Sequence, residues 1–206
     1  MIEARIIQRA QEAGLHISVD LAADLARYLS VLRRWNRKIN LTSLPLDPVS
    51  DGAIDRLVVE PLVALSFLTD LDRVIIDIGS GGGSPALPLR LGMGRARKTE
   101  MVLTESRQRK AAFLREAIRE LGLEGVSVKE TRIGMDLDEL PPAQVITIRA
   151  VRIDFELAVA LERLLAPGGR ILFFGSESEL PGFEKLGFRV VAALRSSGTL
   201  FELRPD

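Results

Sequence analysis

A glycine-rich stretch directly after a short apolar run is the feature that most constrains the fold of this chain. The run RVII is followed by DIGSGGGSP, residues 77–85, in which four of nine residues are glycine. Glycine adopts positive φ angles and has no Cβ, so backbone N–H groups can approach an anion or a polar ligand closely. Such a loop between a strand and a helix predicts a nucleotide-like ligand at the carboxyl end of the strand.

Beyond Asp72, short apolar runs alternate with helical stretches. The runs that predict strands are RVIID, MVLTE, VSVKE, QVITIR, RILFFG, FRVVAAL and TLFEL. Strands that alternate with helices indicate crossover connections, and therefore an α/β fold with a mostly parallel sheet. Only RSSG separates the last two runs, so we expect that pair to be antiparallel. Gly122 and Pro167–Gly169 lie where helices are expected to end.

The chain before Asp72 is expected to be helical. Apolar residues recur every three or four positions from Leu21 to Ile39, and this spacing predicts an amphipathic helix. A shorter helix precedes it and stops at Gly14. A third helix is expected around residues 54–68, after a loop that contains two prolines.

Length and composition limit the class of protein. A chain of 206 residues with 47% hydrophobic residues can bury one substantial core. We predict a single domain over residues 1–206, with an N-terminal helical extension (1–70) before the sheet-containing core (71–206). The chain has no cysteine, no signal-peptide pattern and no apolar run of about 18 residues, so we expect a soluble cytoplasmic protein without a membrane span.

The formal net charge of zero argues against a protein whose whole surface binds nucleic acid. Two stretches, residues 27–38 and 90–115, are nevertheless rich in arginine and lysine. Helix faces balanced by acids elsewhere and a binding patch are both compatible with this distribution. His16 is the only histidine, so no histidine-based metal cluster or catalytic triad is expected.

The acids that end the first two predicted strands narrow the choice of ligand. The dinucleotide fingerprint needs a glycine where this chain has Ser84, and no lysine follows the loop as in a P-loop. Asp77 ends the first strand, and Glu105 ends the second. A carboxylate at the second position accepts hydrogen bonds from a ribose diol. The pattern predicts a ribose-bearing cofactor, with a purely structural tight turn as the alternative.

Several longer motifs, taken in order, resemble one family. The segments YLSVLRRWNRKINLTS, DIGSGGGSPALPL, ESRQRKAAFL, TRIG, TIRAV and LLAPGG resemble the RsmG (GidB) family of methyltransferases. The resemblance extends from about Ile17 to the last strand, and WNRKINLTS (residues 35–43) is its most specific part. It implies a class I (Rossmann-like) S-adenosylmethionine-dependent methyltransferase fold, with S-adenosylmethionine as cofactor. The implied substrate is guanine N7 in small-subunit (16S) ribosomal RNA or the small ribosomal subunit, and we expect a monomer.

The resemblance also implies individual site residues. The expected cofactor-binding residues are Asp77, Gly79, Gly81, Gly83, Ser84, Glu105, Ile133, Gly134 and Arg149. Within this set, Ile133 and Gly134 would bracket the adenine, and Arg149 would border the methyl donor and the substrate. The expected substrate-binding residues are Arg149, Arg109 and Lys110.

The chain departs from the family pattern at several positions. Ser84 replaces a large apolar residue, and Gly134 stands where an acid is usual. Basic or histidine positions of the family are replaced near Gly52, Phe174, Gly198 and Thr199. The missing groups would mostly contact RNA, so they bear on the substrate and leave the scaffold match intact.

Guanine N7 carries a free lone pair, so its methylation requires orientation and no general base. We therefore predict no catalytic side chain and no metal. The helical spacing of Trp35 favours core packing over base stacking, while Asn40 either braces its loop or contacts substrate. Three alternatives are a same-fold methyltransferase with another substrate, a non-catalytic cofactor-binding ribosome-associated factor, and an NAD-linked oxidoreductase, which Ser84 disfavours.

Overall fold

A computed structural model describes residues 1–94, 96–131, 140–195 and 199–205. The strands are β1 (Val74–Ile78), β2 (Glu100–Thr104), β3 (Val126–Lys129), β4 (Ala143–Arg149), β5 (Leu165–Phe174), β6 (Phe188–Arg195) and β7 (Thr199–Pro205). They form one sheet in the order β3-β2-β1-β4-β5-β7-β6. The pairs among β1 to β5 are parallel, and β7 is antiparallel to both β5 and β6. The predicted α/β class and its antiparallel end are therefore confirmed.

The α-helices of the described residues are α1 (Ile2–Glu12), α2 (Val19–Asn36), α3 (Asp51–Ile54), α4 (Glu60–Val63), α5 (Ala86–Gly92), α6 (Gln108–Leu121), α7 (Phe155–Leu164) and α8 (Leu180–Glu184). The helix predicted around residues 54–68 is present as one helical segment, residues 51–67. In this segment a π turn (Asp55–Val59) separates α3 from α4, and a 3-10 turn (Ala64–Phe67) ends it. No helix within the described ranges is both long and apolar enough to cross a membrane.

Alternate strand residues face opposite layers of helices. Ile75 and Val145 belong to a buried cluster with α1, α2, the 51–67 segment, α5 and α6. Ile76 and Ile146 belong to a second cluster with α7 and α8. Because both faces are covered, the central strands β1 and β4 are mostly apolar and buried, as expected for a parallel sheet. The N-terminal helices thus contribute directly to the core on one face of the sheet.

Local signals explain several helix ends. The Ser18 and Asp154 side chains cap α2 and α7 by accepting the backbone N–H groups of Leu21 and Leu157. Gly122 ends α6 in the left-handed region, at φ +62°, as predicted. The prediction for Pro167–Gly169 is wrong, because α7 already ends at Leu164 and these residues lie in the first half of β5.

A buried ion pair joins the helical segment to the amino edge of the sheet. The Arg170 guanidinium donates to both carboxylate oxygens of Asp72, at 2.9 and 2.7 Å, and to the carbonyl of Phe67. Asp72 is 2% exposed and the Arg170 side chain 9%. Burial opposes ionisation of Asp72, but hydrogen bonds from Arg170 and Thr69 outweigh it and lower the Asp72 pKa.

Candidate active site

The glycine loop directly follows β1 at the carboxyl edge of the sheet. Gly79, Gly81 and Gly83 have φ angles of +68°, +49° and +82°. A Cβ on Gly79 would lie 2.7 Å from Val151 Cγ2, and one on Gly83 would lie 2.5 Å from Leu87 Cδ1. Packing within the protein therefore requires these two glycines with or without a ligand. A Cβ on Gly81 would meet nothing closer than 3.6 Å, so only its φ angle requires glycine.

Two sets of contacts hold the loop. From β2, the Thr104 carbonyl accepts the N–H of Ser80 at 2.9 Å, and Glu105 Oε2 accepts the N–H of Gly81 at 3.1 Å. From α2, the buried Tyr28 hydroxyl donates to the carbonyl of Gly82 at 2.8 Å. The loop is thus fixed by its neighbours, which pre-organises its backbone for a ligand.

Glu105 occupies the place predicted for a ribose-binding carboxylate. It directly follows β2 and is 6% exposed. Its Oε1 accepts the backbone N–H of Arg107 at 2.8 Å, while Oε2 accepts that of Gly81. Each oxygen keeps a second lone pair for a further donor.

A cavity of about 210 Å³ opens beside Glu105 at the carboxyl edge of the sheet. Its walls include the end of β1, the end of β2, Thr131 after β3 and the segment from Val151 to Leu157. Gly79 and Glu105 line it, whereas Asp77, Gly81, Gly83, Ser84 and Arg149 lie outside its walls. Ile133 and Gly134, predicted to flank the adenine, lie outside the described residues, as does Arg132.

Asp77 is buried under the loop, with 1% exposure. Its Oδ1 accepts the Thr147 hydroxyl at 2.5 Å, and Oδ2 has no hydrogen-bond partner among the described residues. Burial raises the pKa of Asp77 to about 6, although Ser80, Thr147 and Arg149 act in the opposite direction. Asp77 therefore contributes an unusually basic carboxylate beneath the loop.

Arg149 points into a buried network. Its guanidinium donates to Glu60 Oε2 at 2.6 Å, to Ser84 Oγ at 2.9 Å and to the carbonyl of Arg56. It also lies 4.6 Å from the centroid of the Phe174 ring. Burial lowers the Arg149 pKa to about 10, and Glu60 opposes that shift.

Glu60 was not predicted as a site residue. The available signal was a single acid inside the apolar helical run LVVEPLVAL, residues 57–65. Ser84, predicted to contact cofactor, donates its hydroxyl to the carbonyl of Leu57 at 2.9 Å and accepts from Arg149. The hydroxyl of Ser84 is therefore engaged within the protein.

The two basic stretches differ in their surroundings. Among residues 27–38, Arg33 and Arg37 pair with Asp47, Arg34 pairs with Glu120, and Arg27 pairs with Asp24. Acids close in space thus balance most of this stretch. In the second stretch, Arg90 is 5% exposed and donates to backbone carbonyls, so it is structural.

Three cations of the second stretch lie close to Glu105 in the chain. Arg107 and Arg109 are exposed and Lys110 is half-buried, all at the start of α6 directly after Glu105. Lys110 Nζ is 3.9 Å from the position of a Cβ on Gly81. Within the part of the chain that the structure describes, none of the three side chains forms an ion pair.

The WNRKINLTS segment forms a braced loop against the glycine loop. Asn36 Oδ1 accepts the N–H groups of Leu41 and Thr42 at 2.8 and 3.0 Å, and its amide donates to the Thr42 carbonyl. Asn36 therefore does the bracing, and Asn40 is exposed. Trp35 packs against the core, with its ring centroid 5.9 Å from that of Phe113, as its spacing predicted.

Several solved structures share this architecture. A S-adenosylmethionine-dependent methyltransferase from Aquifex aeolicus has a TM-score of 0.60 at 16% identity, covering 75% of this chain and 92% of that chain. TrmN from Thermus thermophilus has a TM-score of 0.55 at 19% identity, covering 75% and 48%. At these identities the likeness shows the fold alone. The chain has the fold of a class I, Rossmann-like S-adenosylmethionine-dependent methyltransferase.

The family can be stated more narrowly. Residues 21–190 match the family model GidB, described as rRNA small subunit methyltransferase G, and the chain belongs to this family. A ribosomal RNA small subunit methyltransferase G from Granulibacter bethesdensis is 40% identical over 174 residues, which cover 84% of this chain and 76% of the relative. One from Xanthomonas euvesicatoria is 33% identical over 204 residues, covering 97% and 87%. The resemblance stated from the motifs is confirmed, and the cofactor is S-adenosylmethionine.

Proposed function

We propose that this protein transfers the methyl group of S-adenosylmethionine to guanine N7 in small-subunit (16S) ribosomal RNA. The match of residues 21–190 to the rRNA small subunit methyltransferase G family is the observation that carries the proposal. Arg107, Arg109 and Lys110, which form no ion pair among the residues that the structure describes, support an RNA substrate. We further propose that the protein acts as a monomer in the cytoplasm, where small ribosomal subunits are found.

The residues at the carboxyl edge of the sheet fit the cofactor. The positive φ angle of Gly81 turns the loop where a ligand would approach, and Glu105 presents a carboxylate to the cavity. We assign the ribose hydroxyls to Glu105 and the loop contacts to Gly79, Gly81 and Gly83. When bound, the cofactor supplies a methyl group on a positively charged sulfur. Asp77 supports the loop from below, and Ile133 and Gly134 remain our proposal for the adenine.

Glu105→Gln is expected to weaken cofactor binding by about 1–3 kcal/mol, because it replaces a charged acceptor by an amide. The amide also leaves only one acceptor oxygen for the N–H groups of Gly81 and Arg107. Titration calorimetry with S-adenosylhomocysteine measures the effect. Glu100→Gln, at the exposed start of the same strand, is the matched control. Equal affinities of the two variants would contradict the ribose assignment.

Transfer to N7 requires alignment of two atoms and no proton removal. A well-oriented pair can gain up to roughly 7–11 kcal/mol from alignment alone. The described residues therefore need only exclude water, hold the RNA and fix the base. RNA presents an N7 edge most readily in a single-stranded or splayed segment.

Arg107, Arg109 and Lys110 are suited to hold the RNA backbone. They lie directly after Glu105, so a strand bound to them passes the cofactor cavity. Phosphate contacts provide affinity without sequence information and make binding dependent on salt.

Replacing Arg109 and Lys110 together by Ala is expected to reduce RNA affinity and to flatten its logarithmic salt dependence, by about 0.7 for each single-strand phosphate that is no longer neutralised. Affinity for S-adenosylhomocysteine should not change. The control is Arg115→Ala with Arg119→Ala, which removes two cations of the same helix that are paired with Glu130 and Glu116. If the control flattens the salt dependence equally, α6 has no localised RNA site.

The deciding experiment is methyl transfer from tritiated donor to small ribosomal subunits and to their free RNA, followed by mass mapping of the modified nucleotide. Subunits from a strain lacking the gene provide the unmethylated substrate. Label in a guanine of the small-subunit RNA, with N7 as the modified atom, is the expected result. Transfer to another molecule only would support the alternative, a same-fold methyltransferase with a different substrate.

A further inference from the structure

The ends of β1 and β4 define the crevice of the sheet. From β1 the strand order runs through β2 and β3 on one side and through β4 and β5 on the other. In open α/β sheets, ligands bind at the carboxyl ends of the strands where the order reverses. Gly79 follows β1, and Arg149 ends β4, one residue beyond the pair Ile148 and Ile78. Arg149 therefore lies at the crevice.

The backbone turns sharply immediately after Arg149. Ala150 has a φ of +54° and is the sole non-glycine residue with a positive φ in the described ranges. Such a conformation is strained, and it persists only when its neighbours hold it. On one side Val151 packs against Gly79 and lines the cavity. On the other side Arg149 is held by the buried network.

Glu60 is the anionic centre of this network. It is 5% exposed and accepts hydrogen bonds from Arg56 Nη1 at 3.0 and 3.1 Å and from Arg149 Nη2 at 2.6 Å. The π turn between α3 and α4 contributes the Arg56 carbonyl, which Arg149 also contacts. Ser84 links Arg149 to the end of the glycine loop. The network thus connects the N-terminal helices to both sides of the crevice.

We propose that Glu60, assisted by Ser84, is a positioning residue for methyl transfer, which holds Arg149 and thereby the turn Arg149–Val151 at the crevice. This inference rests on the proposed function for its kinetic consequences. Both Nη atoms of Arg149 donate within the protein, while its buried Nε has no partner among the described residues. Because the Arg149 side chain is only 8% exposed, Arg149 acts by placing the turn. Ser84 is accordingly a member of this network and makes no direct cofactor contact through its hydroxyl.

The test compares two variants that each neutralise the acid of a buried ion pair. Glu60→Gln acts at the carboxyl edge, and Asp72→Asn acts on the pair with Arg170 at the amino edge. The two pairs are equally enclosed, with side-chain exposures of 5% and 8% for Glu60 and Arg149 and of 2% and 9% for Asp72 and Arg170. Each variant therefore neutralises an acid of similar enclosure that faces a buried arginine, although Glu60 also pairs with the half-exposed Arg56.

Glu60→Gln is expected to lower kcat about 10- to 100-fold on small-subunit RNA, since a misplacement near 1 Å can cost about 100-fold. The KM for RNA and the Kd for S-adenosylhomocysteine should stay within about threefold, as expected for a loss confined to the transition state. Hydrogen exchange should become faster at the amides of residues 150–152. Asp72→Asn should leave kcat and this local exchange unchanged.

Each of three results would overturn the proposal: an unchanged or increased kcat for Glu60→Gln, an equal loss of kcat in Asp72→Asn, or unchanged exchange at residues 150–152. Ser84→Ala provides a milder variant if Glu60→Gln does not fold. It should reduce kcat in the same direction without changing the Kd for S-adenosylhomocysteine, whereas a raised Kd would identify Ser84 as a cofactor contact and contradict the proposal. If wild-type protein methylates no small-subunit RNA, the proposed function fails, and the exchange measurement alone decides on the positioning role.

Discussion

Gly81→Val is expected to abolish binding of S-adenosylhomocysteine while the protein stays folded. Gly81 has a φ of +49°, which a β-branched residue adopts only with strain. A Cβ at this position would be no closer than 3.6 Å to its nearest neighbour, so the surrounding residues leave room for it. The valine side chain would occupy the open side of the loop, where we place the cofactor, and would displace the N–H that Glu105 accepts.

Gly122→Val is the matched control for this variant. Gly122 has a similar φ of +62° and open space around its Cβ position, but it ends α6 away from the loop. Both variants should lose stability by about 1–3 kcal/mol through backbone strain. At a ligand concentration of 100 times Kd, Gly122→Val should still gain about 2.7 kcal/mol from the ligand, and Gly81→Val should gain nothing. If the ligand raised the melting temperature of both variants equally, the loop would not be part of the cofactor site.

Asp72→Asn is expected to reduce the free energy of unfolding by about 3–5 kcal/mol, because it leaves the Arg170 guanidinium buried without its charged partner. Urea unfolding at neutral pH measures this difference. A loss below about 1 kcal/mol would mean that the pair contributes no more than an exposed ion pair does.

The same pair predicts a dependence on pH. The folded state lowers the pKa of Asp72, so its contribution is complete above the unfolded value near 4 and is lost as the pH falls through the folded value. The difference in stability between wild type and Asp72→Asn should therefore be constant from about pH 5 upwards and shrink below about pH 4. Asp77, whose pKa is raised to about 6, acts in the opposite direction, but it is present in both proteins and cancels in the difference.

Periodicity was sufficient to predict the α/β class and the antiparallel last pair, and the family resemblance supplied the particular fold. The strands and most of the helices lie where apolar spacing placed them, because each buries a face whose pattern is local in the sequence. The helix end expected at Pro167–Gly169 is earlier, since β5 begins directly at Leu165. The division into an extension and a core at residue 70 stays a prediction, although residues from both parts share one buried cluster.

The candidate site was only partly predictable. Gly81 and Glu105 carry a local signal, a loop and a strand end, that indicates their place. The partners of a buried charge are set by the tertiary fold, so nothing near Arg149 in the sequence predicts Glu60, which lies 89 residues away. Likewise, the sequence places Arg90 in a basic stretch, as expected of a surface cation. In the structure its guanidinium donates hydrogen bonds to the backbone carbonyls of Glu124 and Gly94.

The position of β7 between β5 and β6 has a consequence for synthesis on the ribosome. β6 precedes β7 in the chain, yet within the described residues its only strand partner is β7. A nascent chain that ends before Thr199 therefore has an open edge on β5 and an unpaired β6. Phe173, Phe183 and Phe188 would already be present, but Phe201, which stacks on Phe173 at 6.2 Å, arrives last. The sheet is complete only after β7 has been translated. Until then the unpaired strand edges and the phenylalanines beside them are exposed, and chaperones can bind them.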